Sequence, residues 1–452
     1  MQISNFAYDS RSLVSDCLKE TVIINIKLLF MQKIYISALV AATLFSTNLA
    51  AQKLTVLPST ADQAYAGLCI SPNGKYVAGT DYFTYAGFVT DWQAGEFKTQ
   101  DPIDEFGCEW RQVTDNGVAV GFNGPASTFH YNGEVKALEG GESTVGEGIT
   151  ADGSIVCGTS SPSSVTHAVI WRDGVIENLP EPTTEEAGFN VGGTYAKYIS
   201  ADGKLIVGYI VDDMSTFPLI TWAWDDEAKA YKYNIVCKDY FNTGAEGDTK
   251  PYAMFMPMGV SANGKYIALT LYSESTGVNE VARYDVETAT LTVAKLAAEG
   301  TAVVSGTSMV SSSIANDGTM IGFTGDMAGQ LPRNGFIWKG GEESPKLLAE
   351  ACPDIADLAT FDLVGAHTPT GITPDGRYVV GFAADAEGNY KTYVLDLKTE
   401  GAGIESAVEG NGKADAVEVA RYNMGGQKVG GNVKGLNIVK MSDGTVKKYI
   451  VK

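Results

Sequence analysis

Seven times between residues 67 and 381 the chain alternates apolar and polar positions, meets an Asn-Gly or Asp-Gly pair, and leaves through an apolar run. Period-two alternation interrupted by that dipeptide predicts a β-hairpin, because glycine supplies the positive φ of the reversal. In ITPDGRYVVG (372–381), Pro374 suits the second position of a type I turn, Asp375 tolerates the third, and Gly376 closes a G1 bulge. The other copies are GLCISPNGKYVAG (67–79), WRQVTDNGVAVG (110–121), EGITADGSIVCG (147–158), KYISADGKLIVG (197–208), MGVSANGKYIAL (258–269) and SSIANDGTMIG (312–322). Their turn glycines, Gly74, Gly117, Gly153, Gly203, Gly264, Gly318 and Gly376, are 43, 36, 50, 61, 54 and 58 residues apart. A second apolar segment and often a second turn follow each hairpin, as in HAVIWRDGVIENL (167–179), so each unit supplies about four short strands.

Seven such units predict an all-β chain folded as a seven-bladed β-propeller over residues 52–400, with six or eight blades left open. The seventh unit stops after its third strand, YVLDL (393–397), while KLTVL (53–57) is an orphan strand. Pairing of 53–57 into the last blade would close the ring and remove two sheet edges. On the HAVIW segment (167–171) and the partial copy FIW (336–338), the repeats resemble an extracellular family in which a strand–Asp-Gly–strand hairpin precedes a His-Ala-Phe-x-Trp strand. Val169 stands in place of that Phe. The resemblance implies a propeller-like fold and brings no catalytic residues.

Composition agrees with a turn-dense β protein: glycine (51) far exceeds proline (15), and only 19% of residues are charged. No helical periodicity persists between 52 and 400. Residues 31–51, MQKIYISALVAATLFSTNLAA, read as a secretory signal, with Lys33 before an apolar core too short for a membrane span. Residues 1–30 then read as a spurious or unstructured extension, the alternative being a long n-region. A secreted or outer-surface location follows, with the periplasm as fallback. Removal of the signal leaves Cys69, Cys108, Cys157, Cys237 and Cys352, an odd set without metal-ligand spacing.

Charge is uneven. The whole chain carries −21, yet 417–452 holds seven Lys/Arg against two Asp/Glu. The acidic remainder disfavours nucleic acid and anionic membrane as partners. Beyond a linker at 401–416, the segment VEVARYNMGGQKVGGNVKGLNIVKMSDGTVKKYIVK (417–452) predicts a small C-terminal β domain. With Tyr422–Val429, Lys434–Val439, Asp443-Gly444 and a Lys-rich end, it resembles the C-terminal sorting domain of type IX secretion substrates. That resemblance implies an export machinery as partner.

Candidate chemistry is sparse. No GxSxG elbow, P-loop, HExxH or EF-hand loop occurs, and the three histidines are not grouped in the sequence. Catalytic residues and metal ligands are therefore assigned to none, and no cofactor is expected, although Asp212-Asp213 and Asp225-Asp226 offer hard oxygens of the kind calcium takes. The fourth unit carries a long aromatic insertion (225–257). Aromatic rings on a propeller loop can stack on sugars or anchor a protein. The candidate ligand contacts are Tyr240, Phe241 and Tyr252, joined by Trp110 and by Asp212 and Asp213. Tyr231 and Tyr233, and the tryptophans that recur on third strands, read as packing. The expected function is a non-catalytic, monomeric module that binds a glycan or an extracellular protein through loops on one ring face. The alternatives are a polysaccharide-cleaving enzyme and a structural envelope protein.

Overall fold

The computed structural model describes residues 52–397 except for 61–62, 103–104, 106, 125–127, 132–133, 213–215, 243–246, 297–302, 304–305 and 326–330, together with 418–422, 428–429, 435–441 and 446–451. The N-terminal extension, the signal segment, the linker and Asp213 lie outside the described residues.

Gln52–Lys398 forms one compact unit. It is a β-propeller made of four-stranded antiparallel sheets, all but the last a simple meander in chain order. Sheets 1 to 6 begin at Tyr65–Ile70, Cys108–Val113, Val145–Ile149, Gly193–Ile199, Tyr252–Val260 and Met309–Ile314. The seventh contains Thr368–Ile372, Tyr378–Ala384 and Tyr390–Asp396, and its fourth strand is Lys53–Val56 from the other end of the unit. That strand pairs Lys53 with Asp396 and Val56 with Tyr393. The second strand of every sheet packs on the first strand of the next, and Tyr378–Ala384 packs on Tyr65–Ile70, so the series closes on itself.

The repeated hairpin explains the regularity. All seven turn glycines have φ between 69° and 83°, a range that side chains rarely adopt. In six of the seven a hydroxyl three residues earlier braces the turn, Ala315 being the exception. Ser71 Oγ donates to Asn73 at 2.8 Å and accepts from the amides of Lys75 and Tyr76. Thr150, Ser200, Ser261 and Thr373 make the same bond to Asp152, Asp202, Asn263 and Asp375. Neighbouring turns are also tied: the Ala201 amide donates to the Ala262 carbonyl at 2.9 Å, and the Asn316 amide to the Pro374 carbonyl at 2.9 Å.

Indoles and thiols fill the seams between sheets. Trp110, Trp171, Trp222 and Trp338 are fully buried, and Trp222 Nε1 donates to the Pro180 carbonyl at 2.8 Å. The five cysteines among the described residues are free, and all but Cys237 are buried. Burial pushes the Cys108 thiol up to about 12 and the Cys352 thiol to about 11, so both stay neutral filler.

Among the described residues three short helices depart from the sequence expectation: Thr184–Ala187, Leu348–Ala351 and Ala356–Val364. The longest buries only Leu358 and Phe361, while Leu363 and Val364 face water, so its apolar positions carry no clear stripe. Gly365, at φ 75°, stops it. Among the described residues no helix is long and apolar enough to cross a membrane. The C-terminal residues form a separate three-stranded antiparallel sheet, Glu418–Tyr422, Gly435–Met441 and Val446–Val451.

Candidate functional site: the central channel

Each inner strand carries a β-bulge at one place, six residues before its turn glycine. The register skips Leu68, Arg111, Glu147, Lys197, Met258, Ser312 and Thr370 in turn. A bulge leaves its extra residue unpaired and re-aims its side chain. All seven of these residues line one cavity of about 380 Å³ along the axis of the ring. Seven equivalent backbone positions therefore write the chemistry of the channel.

Their side chains divide it into two arcs. Sheets 2 to 4 contribute an ion-pair chain: Arg111 Nε lies 2.9 Å from Glu109 and its Nη1 2.5 Å from Glu147, which also meets Lys197 Nζ at 2.5 Å. Glu147 is almost closed to water, with 8% of its side chain exposed. Burial works against the Arg111 charge, but Glu147 and Glu109 outweigh it and hold the guanidinium above its ordinary value. Its plane also covers the Phe122 ring at 5.1 Å. Burial raises the nearby Tyr198 phenol, with Glu147 adding to the effect. Sheets 5, 6, 7 and 1 contribute Met258, Ser312, Thr370 and Leu68, none of them charged. Thr370 Oγ1 is spent on the Gly67 carbonyl at 2.6 Å, sealing the last sheet to the first.

Those residues singled out from sequence that are described lie elsewhere, and none of them lines the cavity. Tyr240 is 44% exposed, and it alone of the aromatic candidates offers a ring to solvent. Phe241 is buried against Phe189 and Phe255, with ring centroids 5.7 and 6.3 Å apart. Tyr252 is buried at the start of the sheet 5 inner strand and donates to Glu280 at 2.9 Å. Trp110 is fully buried, and its indole occupies the space a Cβ at Gly87 would need. Asp212 is buried and accepts from the Thr216 amide at 2.9 Å, a turn-bracing role. The seven turn glycines stand where their reversals require them.

The remaining candidates are likewise committed to structure. Asp225 bonds Lys232 and the amides of Glu227 and Ala228, which hold its carboxyl down at about 2; Asp226 pairs with Lys204 at 3.0 Å. His367 is buried between Asp362 (2.7 Å) and the Tyr393 hydroxyl (2.9 Å), and His167 faces Glu181 at 3.0 Å. The His130 side chain is outside the described residues. Among those residues no group of three His, Cys, Asp or Glu could hold a metal ion.

Sequence reasoning passed over Arg111, Glu147 and Lys197. The signal was present: three consecutive units place a charge six residues before the turn glycine, where the other four do not.

No family model and no curated protein matches the chain. Solved structures similar to it include oligogalacturonate lyase from Vibrio parahaemolyticus (12% identity, 76% of this chain and 97% of that one, TM-score 0.47). Hydrazine synthase from Kuenenia stuttgartiensis is another (15% identity, 76% and 98%, TM-score 0.46). A third is virginiamycin B lyase from Staphylococcus aureus (13% identity, 76% and 99%, TM-score 0.44).

Proposed function

We propose that this is a secreted or cell-surface binding module, with seven blades and no catalytic role, whose glycan or protein ligand seats a polar group against the charged arc of the channel. The supporting observation is the one-sided cavity itself: four ionic side chains line one wall, neutral ones the other. A ligand placed there finds donors and acceptors on one side and room on the other. Arg111 and Lys197 retain further N–H donors beyond those used on Glu109 and Glu147. The C-terminal sheet is the export signal in this reading.

One observation favours the enzymatic alternative. Glu109 and Glu147 come from adjacent blades and flank an arginine, the layout that polysaccharide cleavage would use. Both carboxylates, however, are already engaged with cations, Glu109 with Arg111 and Glu147 with Arg111 and Lys197. The test is a screen of the full chain against oligosaccharide and peptide arrays, followed by titration of the best ligand. Lys197→Met combined with Glu147→Gln preserves net charge, and it is expected to weaken binding at least tenfold while the fold survives. Release of new reducing ends from a bound polysaccharide would instead establish the enzyme.

A further inference from the structure

A second surface carries its own chemistry, and none of its rings lines the cavity. The link between the second and third strands of sheet 1 reads DYFTYAG (81–87) and displays Tyr82, Phe83 and Tyr85 at 41%, 61% and 56% exposure. No other linker among the described residues presents three exposed aromatic rings. They are held in place from below. Asp81 is buried, and its Oδ1 accepts from the amides of Ala64 (3.0 Å) and Phe83 (2.9 Å). Tyr85 adopts φ 57°, fixed by its amide on the Asp81 carbonyl (2.7 Å) and its carbonyl on the Cys108 amide (2.8 Å). A tyrosine in that conformation is uncommon and is kept only where its surroundings dictate it.

The last sheet extends the surface. Phe382 and Tyr390 place their ring centroids 5.8 and 6.2 Å from Tyr82, both edge-on. Sheet 6 adds Arg333, whose guanidinium lies over Phe323 at 4.9 Å and has no carboxylate partner among the described residues. Arg333 stands between the second and third strands of sheet 6, the place that Tyr82 holds in sheet 1 and that Tyr390 closes in sheet 7, so the cation and the rings belong to equivalent links at one end of the ring.

We propose that the Tyr82–Phe83–Tyr85–Tyr390 shelf is a carbohydrate-binding surface, on which sugar rings stack while Arg333 donates to their hydroxyl or carboxylate oxygens. A few rings with phenol handles suit a sugar, which offers an apolar face and a polar edge. A stable protein interface needs about 20–30 residues on each side, and two short loops do not supply them. The bracing means that little ordering is left to occur on binding.

The test is an array of neutral and uronic-acid oligosaccharides probed with the full chain, then calorimetric titration of the strongest ligand. Tyr82→Ala, Tyr390→Ala and the pair Phe83→Ala with Tyr85→Ala should each weaken it about tenfold or more. Leu363→Ala, an exposed apolar change elsewhere, should leave affinity as it was. Because Phe83 and Tyr85 are the most exposed of the rings, an unchanged melting temperature in that pair separates lost binding from lost fold. Arg333→Gln should weaken uronic-acid ligands more than neutral ones. Array silence, or full affinity in the shelf variants, overturns the proposal. Lys197→Met then tells whether the channel shares the ligand: loss there with intact shelf variants assigns binding to the cavity alone, whereas loss in the shelf variants upholds the shelf whichever way Lys197→Met behaves.

Discussion

The charged arc of sheets 2 to 4 and the neutral arc of sheets 5, 6, 7 and 1 share one backbone. Both have the same hairpin, the same glycine φ and a bulge at the same position. They differ chiefly in the side chain that the bulge aims inward, with Glu109 added on the charged arc. Fold and chemistry are thereby assigned to different residues. Turn glycines, capping hydroxyls and the second-strand glycines that lie against the inner strand make the ring, and the bulge position of each unit sets most of what the ring contacts. Substitutions of the first kind should act alike on both arcs, and substitutions of the second kind should not.

The largest effect is expected where the arcs are the same. A Cβ at Gly208 would lie 1.7 Å from the Tyr195 carbonyl oxygen, and one at Gly322 would lie 2.1 Å from that of Val310. Gly208→Ala and Gly322→Ala should each cost about 3 kcal/mol or more, one on each arc, read as melting temperature and soluble yield. A marked difference between them would break the equivalence. Glu147→Gln comes next. It takes the carboxylate from Lys197 while Arg111 keeps Glu109, so a loss of about 2 kcal/mol in denaturant unfolding is expected. Met258→Gln, at the matching place on the neutral arc, should cost less than about 1 kcal/mol, since no partner is orphaned there. An equal loss in both would mean that the ion-pair chain adds nothing beyond packing.

The smallest effect concerns pH. The Thr150 hydroxyl and the Ser154 amide hold the Asp152 carboxyl below its ordinary value, whereas the corresponding turn in sheet 5 uses Asn263, which does not titrate. A carboxyl depressed by folding stabilises fully above its unfolded value of about 4, and that contribution fades as pH falls through the lower folded value. Asp152→Asn should flatten part of the acid limb of the stability profile, while Asn263→Asp should steepen it. Unfolding midpoints measured from pH 2 to pH 7 would show either change.

Legibility in the sequence follows the same division. Period two, Asn/Asp-Gly and the preceding Ser or Thr are local signals, and the all-β propeller architecture is readable from them. The pairing of 53–56 with 393–396 was within reach because YVLDL lacked a following strand. The channel residues were harder to read: a charge recurs six residues before the turn glycine in three consecutive units, but a bulge leaves no mark in an alternating pattern, so Glu147 and Lys197 look like solvent-facing positions of any strand. The 225–257 insertion attracted attention through its aromatic content, yet Phe241 and Tyr252 are rings that pack the sheet 4–5 seam. Tyr82 and Tyr390 escaped notice for the opposite reason, since contact between them joins distant parts of the chain. The helix at 356–364 hid behind exposed Leu363 and Val364.

Lys53–Val56 has one further consequence, for the order of events during synthesis. The first of the described strands finds its partner only after more than three hundred later residues have been made, and the Tyr65 carbonyl waits equally long for Thr392. Six sheets can assemble from neighbours as they appear, but the seventh must recruit an end that has been idle throughout. Until then two unsatisfied strand edges face outward together, and any chaperone or pause that keeps the leading segment extended governs whether the circle completes or pairs with another molecule.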